Sequence, residues 1–125
     1  MVNRFQLKDL IGLELSAACY VRDYVELHFD GPILRCLADP IVVGPSGRFE
    51  HPNVGSRDAL CALVGDVVSG AVDESTRLCL EFAGQARVFV PKQSPSAGPE
   101  VAHLVPFTDG TPDVAGMLIW PNQMG

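Results

Sequence analysis

Residues 2–37 read VNRFQLKDLIGLELSAACYVRDYVELHFDGPILRCL, and residues 55–90 read GSRDALCALVGDVVSGAVDESTRLCLEFAGQARVFV. Laid over each other without a gap, nine of the 36 pairs are identical: Arg4/Arg57, Leu7/Leu60, Leu10/Leu63, Gly12/Gly65, Ser16/Ser69, Ala18/Ala71, Leu27/Leu80, Phe29/Phe82 and Gly31/Gly84. Self-similarity at one fixed offset, here 53 residues, is the mark of a repeated supersecondary unit. The matched glycines fall where each unit must turn, which is where a repeat has least freedom to vary.

Each copy reads the same way. Asn3 or Ser56 is placed to cap a helix, its side-chain oxygen accepting from an orphan backbone N–H. Leu7, Leu10 and Ile11, and likewise Leu60, Leu63 and Val64, then recur at helical spacing. Gly12 and Gly65 stand where a helix C-terminus favours a residue that tolerates positive φ. Beyond each glycine the period drops to two: Leu13, Leu15, Ala17, Cys19 and Val21 alternate with polar or small residues. Arg22-Asp23 turns the chain into Val25, Leu27 and Phe29, and Asp30-Gly31 turns it again into a third strand, Ile33 to Ala38. The second copy gives strands over Val67–Asp73, Arg77–Phe82 and Ala86–Val90.

Outside the repeat, Ile41–Val43 and Arg48–His51 flank Gly44-Pro45-Ser46-Gly47 as a hairpin. Residues 91–99, rich in Pro, Ser and Gly, read as a mobile loop, and Glu100–Phe107 and Ala115–Trp120 as further strands. The expected fold is one mainly β (α+β) domain over residues 1–125. Two tandem helix-plus-three-strand meanders, 2–37 and 55–90, pack as an antiparallel barrel or two-layer sheet with two short helices. A meander cannot bury its apolar face alone, so the copies must cover each other.

At 125 residues, 47% of them hydrophobic and 19% charged, the chain can bury a core without disulfides or metal. Its net charge of −6 disfavours nucleic acid and anionic membranes and favours a basic protein partner. No apolar run reaches the length of a membrane span. Ser16-Ala17-Ala18-Cys19 resembles a lipoprotein cleavage site, but Asp9 and Glu14 interrupt the segment before it, so a cytoplasmic protein is expected. Cys19, Cys36, Cys61 and Cys79 lack the close spacing of a zinc knuckle and read as reduced thiols, with Cys19 and Cys36 filling core. Trp120 and its neighbours are expected to close the core rather than line a ligand pocket.

One polar constellation stands out. The second strand of each copy turns Val25, Leu27, Phe29 or Leu78, Leu80, Phe82 inward, leaving Glu26 and His28, and Cys79 and Glu81, on the other face. Pairing of those two strands about a twofold axis would gather Glu26, His28, Cys79 and Glu81, enough to bind a metal or activate Cys79. A solvated outer face is the plainer expectation, so no catalytic, metal-binding or cofactor-binding residue and no cofactor is assigned.

Leu10-Ile11-Gly12 followed by Asp23-Tyr24-Val25-Glu26-Leu27-His28-Phe29-Asp30-Gly31 resembles a loose pattern in small β-rich bacterial, often actinobacterial, proteins. Some of these act as immunity proteins, neutralising a toxin by binding it, and the resemblance implies a binding role here. The second copy departs from the pattern, with Glu74-Ser75-Thr76 at the turn and Ala83-Gly84 for Asp-Gly. The leading expectation is a noncatalytic protein-binding module, immunity-like or regulatory. A small-molecule-binding β-barrel, or an enzyme using the Glu26/His28/Cys79/Glu81 face, are the alternatives.

Overall fold

The computed structural model describes residues 5–22 and 24–124. A 3₁₀ turn over Leu7–Leu10 leads into a meander of β1 (Ala17–Val21), β2 (Tyr24–His28) and β3 (Ile33–Cys36). A hairpin of β4 (Ile41–Gly44) and β5 (Gly47–Glu50) follows. After it, α1 (Ser56–Cys61) opens a second meander of β6 (Val68–Asp73), β7 (Arg77–Phe82) and β8 (Arg87–Pro91). The chain ends with β9 (Glu100–Val105), a small hairpin of β10 (Phe107–Thr108) and β11 (Thr111–Pro112), and β12 (Leu118–Pro121).

The fold is mainly β, in two antiparallel five-stranded sheets ordered β1-β2-β3-β9-β12 and β5-β4-β8-β7-β6. Each sheet is a meander from one half of the chain completed by two strands from the other. After β3 the chain crosses to the second sheet, where β4 pairs with β8; after β8 it crosses to the first, where β9 pairs with β3. The two halves thus exchange their last strand pairs.

Where the halves meet, equivalent positions bond to each other. Glu14 and Val67, 53 residues apart, form an antiparallel bridge. Around it Gly12 N donates to Val68 O and Gly65 N to Leu15 O, both at 2.8 Å, while Leu15 N donates to Asp66 O and Val68 N to Leu13 O, both at 2.9 Å. Each bond has its counterpart at an offset of 53. Gly12 and Gly65 enter this seam at φ of +90° and +96°, the left-handed region an L side chain resists.

One cluster joins the two sheets. Leu15, Val25, Leu27, Phe29, Val68, Leu78, Leu80 and Phe82, the residues expected to face inward, are all buried in it. Burial of aliphatic and aromatic side chains on this scale is the main source of stability.

The structure differs from the expectation in several places. The sheets do not close into a barrel, and α1 is the one α-helix among the described residues. Leu7 and Leu10 are buried as expected, but on a 3₁₀ turn, because four residues hold too few hydrogen bonds to set an α-helix. Its entry is fixed by Asp9, whose carboxylate accepts from Gln6 N at 2.7 Å; Asn3, the expected cap, lies outside the described residues, as do Arg4 and the turn residue Asp23. Ser56 is the first residue of α1 rather than its cap, which is Gly55 at φ +90°.

Cys36 is core, but Cys19 is not: it sits on the outer face of the first sheet, while Ala18 and Tyr20 pack on the core. In the second copy a bulge at Ser69, between Val68 and Gly70, supplies the extra residue that reverses the alternation. The equivalent change of phase falls at Ser16. Residues 91–99 are held rather than loose, because the Asn122 amide donates to Ser94 O and Gly98 O, both at 2.7 Å, and its oxygen accepts from Ser94 N at 3.1 Å.

Candidate binding surface

The two strands that would bring Glu26, His28, Cys79 and Glu81 together lie in different sheets. With Val25 and Leu27 of β2, and Leu78 and Leu80 of β7, turned to the shared core, the alternate residues of each strand face outward in opposite directions. Glu26 and His28 therefore meet each other but neither Cys79 nor Glu81. The exchange of strand pairs explains this, since it puts β9 rather than β7 beside the first meander.

On the first sheet, Glu26 Oε1 lies 3.2 Å from His28 Nε2 and its Oε2 accepts from Arg35 Nε at 3.2 Å. His103 stands opposite Arg35 on β9, its Nε2 2.7 Å from Glu100 Oε1 and its Nδ1 buried without a partner. The row is continued by Cys19, opposite Glu26, and Ile119, opposite His103. Arg35 was within reach of sequence reasoning. A turn centred on Asp30-Gly31 puts position 35 opposite 26. His103 and Glu100 were not, because they arrive from the other half of the chain. These charges satisfy one another on a pleated surface, and among the described residues no group of three His, Cys, Asp or Glu side chains is placed to hold a metal.

On the second sheet, Cys79 is buried in a small apolar cluster with Ile41 and Phe89, and the Arg77 guanidinium lies 3.9 Å from the Phe89 ring centroid. Burial, with the carboxylates of Glu74 and Glu81 nearby, raises the Cys79 thiol above its ordinary range. That is the opposite of what activates a cysteine. Glu81 faces Arg87 on the neighbouring strand.

The side of the molecule bearing the seam is different in kind. Ile11 and Val64, equivalent residues at the seam's two ends, and Val67 at its middle are between 37% and 48% exposed. Asp9, Glu14 and Asp66 border them, and none of these carboxylates meets a cationic side chain among the described residues. The 3₁₀ turn carries the surface on to a groove of about 450 Å³ between β6 and β12, the end strands of the two sheets. Leu7, Ala71, Leu118 and Trp120 line it, and Val72 and Ile119, each 48% exposed, form its apolar rims.

One end of the groove is tied shut. Trp120 Nε1 donates to Asp73 Oδ2 at 3.0 Å, and Lys92 pairs with the other Asp73 oxygen. Burial pushes the Asp73 carboxyl up, but the hydrogen bonds from Lys92 and Trp120 outweigh it and hold the group below its ordinary range. Trp120 thus both packs on the core and walls the groove. No helix among the described residues is long and apolar enough to cross a membrane. No protein-family model, curated protein or solved structure matches this chain.

Proposed function

We propose that this chain is a noncatalytic protein-binding module, immunity-like or regulatory, whose partner is basic. The observation that carries the reading is the distribution of exposed apolar side chains. Of the nine large ones among the described residues, Ile11, Val64, Val67, Val72 and Ile119 follow the seam and the groove. Apolar side chains exposed beside carboxylates, as Ile11, Val64 and Val67 are beside Asp9, Glu14 and Asp66 at the seam, suit a surface that docks another protein. The surplus of negative charge, −6 over the chain, steers a cationic partner towards it. The division of Glu26 and His28 from Cys79 and Glu81 argues against a catalytic face.

The same reading takes the halves of the chain as copies of one ancestral unit. The support is the set of reciprocal bonds around Glu14 and Val67, together with the nine identities. A pseudo-twofold arrangement is what remains when a symmetric pair of chains becomes one.

Affinity capture from native extract, comparing the unaltered chain with an Ile11→Lys/Glu14→Lys double variant, tests the function. Both side chains are exposed, so the variant should fold. A protein retained by the first and lost by the second supports the reading. Identical captures by both would overturn it.

A further inference from the structure

We infer that two copies of this chain exchange halves when they fold together at high concentration. In the resulting dimer the residues up to Glu50 of one copy complete those from Ser56 onward of the other. Neither half is a finished body. The first carries β3, whose far edge no strand of its own half covers, and the hairpin β4–β5, which pairs with nothing else in that half. The second carries β8 and the pair β9 and β12 in the same relation. The registers match as well. Ile41, Val42 and Val43 oppose Phe89, Val88 and Arg87, while Ala102, His103 and Leu104 oppose Cys36, Arg35 and Leu34, the residues 53 positions earlier.

Every surface that joins the halves is therefore one that a half from a second copy meets equally well. These are the two strand pairings, the Glu14–Val67 bridge and the shared cluster, to which Leu27 and Phe29 contribute from one half and Leu80 and Phe82 from the other. Only residues 51–55 tie the halves into one chain. They turn tightly, with Asn53 N donating to Glu50 O at 2.8 Å and Ser56 N to Asn53 O at 3.1 Å. Pro52, Asn53 and Val54 are exposed, Val54 fully, so straightening the segment uncovers no core; it gives up those two bonds and the contact of the His51 ring with Tyr20. An exchange that alters only a hinge is a low-cost route to a dimer. The single chain is favoured by the effective concentration that a short linker gives its own second half, on the order of millimolar.

Refolding from denaturant over a range of protein concentrations, read by size-exclusion chromatography with light scattering, tests the inference. The dimer share should be small in dilute refolding and grow as the concentration nears that of the tethered half, about millimolar. Deletion of Asn53 and Val54 removes the turn and should make the dimer the main product even in dilute refolding. Disulfides locate the exchange, because Arg35 and His103 stand opposite each other across the two halves. Arg35→Cys chains refolded together with His103→Cys chains should, on oxidation, give dimers linked between positions 35 and 103. A parent chain that stays monomeric at every refolding concentration would overturn the inference, and so would dimers without that link, joined through an outer face instead. The deletion variant decides the matter even where the concentrated parent precipitates: a monomer from its dilute refolding also overturns the exchange.

Discussion

Glu14 and Val67 face each other across an antiparallel bridge, and each is the residue that stands 53 positions from the other. A residue can pair with its own equivalent only where the axis relating the two halves passes. The glycines that admit the chain to this bridge should therefore behave alike. Gly12→Ala and Gly65→Ala meet no atom within 4 Å of the added Cβ, so their cost is the backbone conformation alone, about 1–2 kcal/mol each. Denaturant unfolding of the two variants measures it. A cost at one position and none at the other would show that the halves are not equivalent there.

Phe29 and Phe82 are a second equivalent pair, both buried in the cluster that joins the sheets. Truncating either to Ala should cost about 3–5 kcal/mol, since a buried aromatic leaves a cavity its neighbours fill only in part. Thermal and denaturant melts of the two variants should give losses within this range. A loss below about 1 kcal/mol at both would mean that the core lies elsewhere.

Asp73 sets part of the acid response. Because Lys92 and Trp120 hold its carboxyl low in the folded state, the unfolded chain takes up this proton first as pH falls. The contribution is complete above the unfolded value of about 3.9 and is lost as pH drops through the folded value. Asp73→Asn should flatten that part of the acid limb while leaving the neutral end lower than in the parent. The chain has one tryptophan, so the emission of Trp120 reports the same titration. An acid limb unchanged by the substitution would contradict the assignment.

The four thiols should separate by environment. Cys61 is exposed and should be alkylated first, with half-buried Cys19 behind it. Burial pushes the Cys36 thiol up to about 12 and raises Cys79, so neither presents thiolate at neutral pH. Timed alkylation followed by peptide mapping should find Cys36 and Cys79 modified only as the protein unfolds. Early labelling of Cys79 would revive the reactive face that the strand exchange dismantles.

The meanders and the inward set on β2 and β7 were legible in the sequence, because alternation and the Asp30-Gly31 turn act over a few residues. That turn alone is enough to place Arg35 beside Glu26. The side of Cys19 differs from the expectation because the alternation changes phase at Ser16, between buried Leu15 and core-facing Ala18, and such a one-residue shift reverses every side chain after it without a mark on composition. What pairs with the outer strand of each meander was not legible at all. The meeting of Arg35 with His103, and of Asp73 with Trp120, depends on connections that cross between sheets, and alternation says nothing about which edge a strand will join.

The exchange of strand pairs also fixes an order of events during synthesis. The second sheet can be complete as soon as β8 has been made, since β4 and β5 precede it. The first sheet, begun at Ala17, gains β9 only when Val105 has been made and β12 only when Pro121 has left the ribosome. Until β9 arrives, Leu34 and Cys36, buried in the finished protein, lie on a strand with an open edge. From then until β12 arrives the open edge is that of β9, which carries the buried Val101, Ala102 and Leu104. Contacts that close so late and over so long a stretch slow folding. A nascent chain of this kind is exposed to aggregation until β12 is made, and a stop codon ahead of Leu118 would leave the β9 edge unpaired.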